Sequence, residues 1–336
     1  PLPLRGGQHH HAGAVLGITK TNLSESMAGW QRVIDPNLLW SSDGTYLNWI
    51  RGRGHAVCGI DPAENLHPET VDSVCDIFRY GSADEARQKL GGPADVIIAR
   101  HVFCHVDNWM DFMTALDRVA HAETLIAIEV PYVLNLLENT EFDTVYHEHS
   151  SYMSFKAMTA LLDRTNFRLH DIVDFEIHGG ASCLFIRHKH SIHKPNETAM
   201  DRVAKENITV DDWRHFRDST GKLINELKTT VNRATANHKV GAAFGASAKC
   251  TVLMNACGFT RKDIAFVTDT TKWKWFKTVP GTDIPIVDEG ALLREMPDFA
   301  IMCAWNYASE ILTNNKLYTD KGGKFLIPIP EVQIVP

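Results

Sequence analysis

Short apolar runs alternate with helical segments from residue 36 onward, and this alternation is the strongest constraint on the fold. The runs at 94–100 and 125–132 are apolar almost throughout, which is typical of central strands in an open parallel sheet. A helical pattern at 109–120 joins them. Strands that alternate with helices build α/β folds. The sequence therefore predicts an α/β fold with a mainly parallel sheet.

A second α/β unit follows a long helical stretch. Residues 198–238 carry an amphipathic apolar stripe, which favours a packed helical connector. Beyond it the pattern predicts a strand, a small-residue turn, a helix and another strand that ends at Asp269. The predicted organisation is a helical segment at 1–35, a first α/β domain with a catalytic insert at 36–197, the connector at 198–238 and a second α/β domain at 239–336.

Polar residues follow the predicted strands of the first domain. Asp61 comes directly after one strand, at the position where nucleotide-binding sheets place an acid that accepts hydrogen bonds from ribose hydroxyls. His101 and His105 come after the next apolar strand, at the edge where ligands collect in parallel sheets. Two shorter strands are predicted at 38–40 and 76–79.

The run Tyr146-His147-Glu148-His149 concentrates side chains that can move protons. A His and a Glu within reach of each other can give a base near neutral pH, and a phenol can donate a hydrogen bond to a developing oxyanion. A polar loop that happens to be rich in His is the alternative interpretation. The spacing is not that of a helical His-x-x-x-His zinc site, and we expect no metal.

The composition excludes several classes of protein. A net charge of −7 is not that of a nucleic-acid-binding protein, which needs a basic face. The seven Cys residues contain no C-x-x-C pair, which argues against a disulfide framework and favours a reducing cytoplasm. No run reaches membrane-spanning length, and we expect no signal peptide. We expect a cytoplasmic monomer or homodimer that binds neither nucleic acid nor membrane.

Six motifs resemble those of the sugar C-methyltransferases. They lie at 128–132, 142–152 and 178–180 in the first half, and at 245–249, 280–286 and 322–325 in the second. The resemblance covers residues 36–331 and implies a class I methyltransferase Rossmann-like domain followed by a second, C-terminal Rossmann-like α/β domain. It also implies an enzyme that uses S-adenosyl-L-methionine, releases S-adenosyl-L-homocysteine and methylates a ring carbon of nucleotide-linked 4-keto-deoxysugars in antibiotic pathways.

The same resemblance implies roles for individual residues. His149 would be the catalytic base, oriented by Glu148, with Tyr146 or His105 at the oxyanion and His101 facing the reaction centre. The residues that it implies for cofactor binding are Ser41, Asp43, Gly44, Asp61, Phe78, Arg100 and His101.

Three departures from the family pattern bear on the acceptor. The chain does not open with the family's Cys-rich zinc domain, Trp40 stands in the cofactor loop where the backbone should approach the cofactor, and His101 replaces an Asn. Together they point to a small-molecule acceptor other than the usual sugar nucleotide. A keto sugar stays the first hypothesis as the family default, and C3 of an indole or a similar aromatic ring is the alternative. A nicotinamide-dependent oxidoreductase that uses Asp61 or Asp269 is the alternative of another class, although neither unit carries G-x-G-x-x-G.

Overall fold

A computed structural model describes residues 17–20, 45–63, 71–175 and 180–336. These residues form two compact units. The first unit takes in the described residues of Pro1–Tyr132, Ser150–Glu176 and Gly180–Asn207, and the second takes in those of Val133–His149 and Ile208–Pro336. The segment that carries Tyr146 and His149 thus packs with the second unit. The domain boundaries given above stay a prediction.

Helices cover much of the described chain. They are α1 (Thr45–Arg51), α2 (Tyr80–Lys89), α3 (Trp109–Val119), α4 (Val133–Glu138), α5 (Phe155–Asp163), α6 (Glu197–Lys205), α7 (Val210–Ala236), α8 (Ala248–Cys257), α9 (Ala291–Glu295), α10 (Ala308–Asn314) and α11 (Lys316–Asp320). None of the helices in the described ranges combines the length and apolar composition needed to cross a membrane.

Seven strands form the sheet of the first unit. They are β1 (Gly17–Lys20), β2 (Ala56–Ile60), β3 (Asp72–Val74), β4 (Val96–Arg100), β5 (Leu125–Pro131), β6 (Phe167–Phe175) and β7 (Ala181–His188). Their order is β3-β2-β1-β4-β5-β7-β6. The pairs β2–β3 and β4–β5 are parallel, whereas β1 is antiparallel to both β2 and β4. Since β2 and β4 both oppose β1, they run in the same direction and their carboxyl ends share one edge of the sheet.

Six strands form the sheet of the second unit. They are β8 (Gly241–Phe244), β9 (Val267–Asp269), β10 (Ile286–Asp288), β11 (Phe299–Met302), β12 (Lys324–Ile327) and β13 (Gln333–Val335). The order is β10-β9-β8-β11-β12-β13, and all neighbours are parallel except β12 and β13. The prediction of two Rossmann-like α/β domains is confirmed.

Local sequence explains where several helices begin and end. Asn108 caps α3 by accepting hydrogen bonds from the backbone N–H groups of Met110 and Asp111. Ser247 caps α8 by accepting from Cys250 N. Gly258 ends α8 in the left-handed conformation at φ 64°, which glycine adopts without a Cβ penalty.

Part of the predicted secondary structure was wrong. Residues 76–79 form a turn rather than a strand, because Arg79 Nε donates to Asp76 Oδ2 at 2.9 Å and Ser82 Oγ accepts from Arg79 N at 3.0 Å. The strand lies earlier, at Asp72–Val74. The predicted strand at 38–40 lies outside the described residues, as do Ser41, Asp43 and Gly44.

Candidate active site

Tyr146 and His149 form a hydrogen-bonded pair in the second unit. The Tyr146 hydroxyl lies 2.9 Å from His149 Nε2, and the two ring centroids are 4.1 Å apart. The other ring nitrogen, Nδ1, lies 2.8 Å from the backbone carbonyl of Thr144. A carbonyl can only accept a hydrogen bond, so Nδ1 carries the proton. In the neutral imidazole, Nε2 therefore presents a lone pair toward Tyr146.

A short helical turn supports this pair. Phe142–Thr144 forms one turn of 3₁₀ helix, and Phe142 is buried in the apolar core of the second unit. Thr144 Oγ1 donates to the carbonyl of Glu141 at 2.5 Å. The backbone N–H of His149 donates to the Tyr146 carbonyl at 3.0 Å. Main-chain carbonyls thus hold His149 at two points, the ring nitrogen Nδ1 and the backbone N–H.

Glu148 and His147 occupy different environments within the same motif. The Glu148 side chain is mostly buried, whereas the His147 side chain is 79% exposed, and His147 Nε2 lies 3.9 Å from Glu148 Oε1. The orienting role of Glu148 stays a prediction. The Thr144 carbonyl, which holds His149 Nδ1, had no sequence signal because any residue type supplies a backbone carbonyl.

In the first unit, three charged or polar residues meet at the carboxyl ends of β4 and β5. Arg100 Nε donates to Glu129 Oε2 at 2.8 Å, and His101 Nε2 lies 2.9 Å from Glu129 Oε1. Burial raises the pKa of Glu129, but the His101 hydrogen bond and the charges of His101 and Arg100 outweigh it and lower the pKa to about 2. Arg100 and His101 are therefore held by an ionised carboxylate at the edge of the sheet.

His105 belongs to the turn that follows β4. Phe103–His105 forms a 3₁₀ helix, and His105 is half-buried at its end. Ser150 Oγ and the backbone N–H of Ser151 both donate to the carbonyl of Cys104, at 3.1 and 3.3 Å. Within the first unit, these contacts fix the backbone that carries His105.

The residues of the first unit fit a nucleoside cofactor. Asp61 follows β2 and is 6% exposed, and its Oδ1 accepts from Ala63 N at 2.8 Å. That bond orients a carboxylate at the edge shared with His101. Phe78 is half-buried and packs edge-to-face against Phe112, with centroids 4.9 Å apart. A carboxylate for ribose hydroxyls and a flat apolar surface are the groups that a nucleoside needs.

Comparisons with known proteins show which sequences this chain is similar to. A family model described as a methyltransferase domain matches residues 41–172, and one described as a C-methyltransferase C-terminal domain matches residues 176–330. The curated protein C-methyltransferase NovU from Streptomyces niveus is 30% identical over 302 residues, which cover 88% of this chain and 72% of that protein.

Proposed function

Because this chain belongs to the sugar C-methyltransferase family and is a methyltransferase, we propose that it moves a methyl group from S-adenosyl-L-methionine to an activated carbon of a small molecule. The acceptor that we propose is a nucleotide-linked keto-deoxysugar. The observation that carries the proposal is the tautomer of His149, whose Nε2 lone pair faces the Tyr146 hydroxyl while Thr144 holds Nδ1. A neutral imidazole in this state is a general base.

The described residues proposed to hold the cofactor lie in the first unit. Asp61 would accept hydrogen bonds from the ribose hydroxyls, and Phe78 would contact the adenine ring. Arg100 and His101 would line the same sheet edge, and Ser41, Asp43 and Gly44 would complete the site. When bound, S-adenosyl-L-methionine supplies an electrophilic methyl group on a sulfonium, whose sulfur leaves as a neutral thioether.

His149 and Tyr146 would create the carbon nucleophile. When the acceptor binds, the hydrogen bond between Tyr146 and His149 breaks. Each of the two side chains then contacts the acceptor instead. His149 Nε2 takes the proton from the carbon next to the ketone, and the electron pair of that C–H bond moves toward the carbonyl oxygen. The Tyr146 hydroxyl donates to the resulting oxyanion. His105 is a second proposed donor.

The proton has a defined route afterwards. Once the carbon has taken the methyl group, the ketone re-forms and the imidazolium of His149 releases its proton to water. Throughout, Nδ1–H keeps its hydrogen bond to the Thr144 carbonyl, which stabilises the cationic ring. Charge and atoms balance, since one proton leaves the carbon and one methyl replaces it.

A nicotinamide oxidoreductase is less well supported. In the second unit, the Asp269 carboxylate accepts from the backbone N–H groups of Ala246 and Thr271, both at 2.8 Å, and pairs with Lys274 Nζ at 3.1 Å. Its two oxygens therefore serve the protein's own turns. An acid that binds ribose hydroxyls needs those oxygens for the ligand.

Two measurements test the proposal. Calorimetry should detect binding of S-adenosyl-L-homocysteine and no binding of NAD. Mass spectrometry of a mixed panel of nucleotide-linked keto sugars and indoles, incubated with donor labelled in the methyl group, should find the label on a keto sugar. Label on an indole would replace the sugar as acceptor. Binding of NAD alone, with no labelled product, would contradict methyl transfer.

A further inference from the structure

The strand order gives the second sheet a switch point, the position at which open α/β sheets form a ligand crevice. The strand order is β10-β9-β8-β11-β12. From β8 the chain adds β9 and then β10 on one side, and it then crosses to the other side of β8 to add β11 and β12. Open α/β sheets bind ligands at such a switch point, outside the carboxyl ends of the two central strands. The central strands are β8, which leads into the start of α8, and β11, which leads into Trp305.

A carboxylate of the protein itself occupies this position. Trp305 Nε1 donates to Asp143 Oδ2 at 2.7 Å, and Lys249 Nζ lies 3.9 Å from Asp143 Oδ1. The Lys249 ammonium also lies 4.4 Å from the centroid of the Trp305 ring. Asp143 is completely buried, and the Lys249 side chain is 16% exposed. The lysine that opens α8 therefore contacts an internal anion.

Lys249 and Trp305 influence the protonation state of the Asp143 carboxyl. Burial raises the pKa of its carboxyl, while the Lys249 charge and the Trp305 hydrogen bond lower it. Glu141 is also buried. The charge of Lys249 lowers the pKa of its carboxyl, whereas the charge of Asp143 raises it. Of these two carboxyls, Asp143 is the one in contact with the Lys249 ammonium, and removing that ammonium leaves the buried Asp143 carboxylate without a compensating charge.

Asp143 is one residue away from the group that orients the base. The next residue, Thr144, offers the carbonyl that accepts from His149 Nδ1 at 2.8 Å. The intervening turn, Phe142–Thr144, packs against α8 through the buried side chain of Phe142. Asp143 and the acceptor of His149 Nδ1 therefore belong to the same short turn, so the contacts that hold the Asp143 side chain act on the backbone that carries the Thr144 carbonyl.

We propose that Lys249 and Trp305 are positioning residues for methyl transfer: they hold Asp143 in the ligand crevice of the second sheet, and so fix the Thr144 carbonyl that orients His149. This inference rests on the proposed function, in which His149 is the base. It assigns the second Rossmann-like domain the task of anchoring the catalytic turn, and its crevice takes Asp143 in place of a nucleotide.

The chain supplies matched controls for both residues. Trp275 Nε1 donates to the Asp269 carbonyl at 2.7 Å, and Lys274 pairs with the Asp269 carboxylate. Trp305→Phe and Lys249→Met should each lower kcat at least tenfold while KM for S-adenosyl-L-methionine changes less than about twofold. Trp275→Phe and Lys274→Met should leave kcat within about twofold of wild type. A folded Trp305→Phe protein with wild-type kcat would overturn the proposal.

A double variant covers the case in which a single variant fails to fold. Lys249→Met with Asp143→Asn removes both charges and keeps a side-chain oxygen for Trp305 Nε1. It should fold and recover most of the wild-type kcat. Recovery of folding without recovery of kcat would contradict the positioning role.

A third readout separates this inference from the proposed function, because it needs no acceptor. Nitrogen-15 NMR of the imidazole, assigned with His149→Gln, should show Nδ1–H in the wild-type protein and a mixture of tautomers in Trp305→Phe. An unchanged tautomer in Trp305→Phe would overturn the inference. Failure of the wild-type protein to methylate any acceptor would instead overturn the proposed function.

Discussion

The Tyr146 hydroxyl lies 2.9 Å from His149 Nε2. Two residues that are three positions apart thereby form an acid–base pair whose members would serve the same acceptor. His149→Gln removes the base, and we expect kcat to fall about 10²- to 10⁴-fold. His147→Gln is the matched control, because the His147 side chain is 79% exposed, and it should keep kcat within about twofold. Steady-state methyl transfer measures both, and equal losses in the two variants would contradict the assignment.

Asp61 tests the cofactor site. Its Oδ1 is oriented by Ala63 N at 2.8 Å, and its carboxylate would accept from ribose hydroxyls. Charge-assisted hydrogen bonds contribute about 1.5–3 kcal/mol, so Asp61→Asn should weaken S-adenosyl-L-homocysteine binding roughly 10- to 100-fold. Asp72→Asn, at an exposed position of β3, should not change the Kd. Calorimetry gives both values, and an unchanged Kd in Asp61→Asn would exclude this role.

Glu206 tests the stability of the first unit. It is 7% exposed and accepts from Tyr132 Oη at 2.9 Å and from the backbone N–H groups of Phe155 and Lys156 at 2.8 Å. Glu206→Ala leaves these donors buried at the start of α5, and we expect a loss of about 2–4 kcal/mol in the free energy of unfolding.

The control for Glu206 is Asp201→Ala on α6, which removes an exposed i,i+4 pair with Lys205. Such a pair contributes about 0.3–0.5 kcal/mol. Urea denaturation should therefore separate the two variants clearly. Similar losses in both would show that the buried hydrogen bonds of Glu206 do not stabilise the unit.

Glu141 makes stability depend on pH. Burial raises its pKa from 4.5 to about 7, and Lys249 and Asn139 only partly oppose this. The folded-state pKa lies above the unfolded value, so the folded protein favours the protonated form of Glu141. The contribution of Glu141 to the free energy of unfolding is therefore fully present below about pH 4.5 and is lost as the pH rises through 7. A shift of this size corresponds to on the order of 3 kcal/mol.

The comparison with Glu141→Gln isolates this effect from other titrating groups. From pH 5 to pH 8, the unfolding free energy of the wild type should fall relative to that of Glu141→Gln, whose side chain does not titrate. Urea denaturation at four pH values measures it. A constant difference across that range would mean that Glu141 does not titrate in this window.

Residue type and periodicity predicted the α/β fold class, and residue type drew attention to the candidate site, whose residue roles stay predictions. The runs that became β4 and β5 were predicted because apolar residues fill them almost throughout, and both strands are buried along nearly their whole length. The antiparallel strand β1 was missed, since it lies within the segment 1–35 that was predicted to be helical, and both strands that pair with it are distant in the sequence. Tyr146 and His149 were singled out by residue type alone.

Contacts between residues that are distant in the sequence could not be predicted from the sequence pattern. Lys249 belongs to the small-residue turn predicted after the first strand of the second unit, and nothing in the sequence linked it to Asp143. Trp305 and Asp143 are 162 positions apart, and only the packing of α8 and β11 around the catalytic turn brings them together. The role of the Thr144 carbonyl could not be predicted from the sequence either, because every residue type carries a backbone carbonyl.

Proton exchange at the acceptor carbon tests the central claim most directly. The acceptor found by the panel is incubated in D₂O with enzyme and S-adenosyl-L-homocysteine, so that deprotonation can occur without methyl transfer, and NMR follows the carbon that otherwise receives the methyl group. Wild-type protein should exchange that proton for deuterium, and His149→Gln should not. Exchange at an equal rate in His149→Gln, or none in a wild-type enzyme that methylates the same carbon, would contradict that claim.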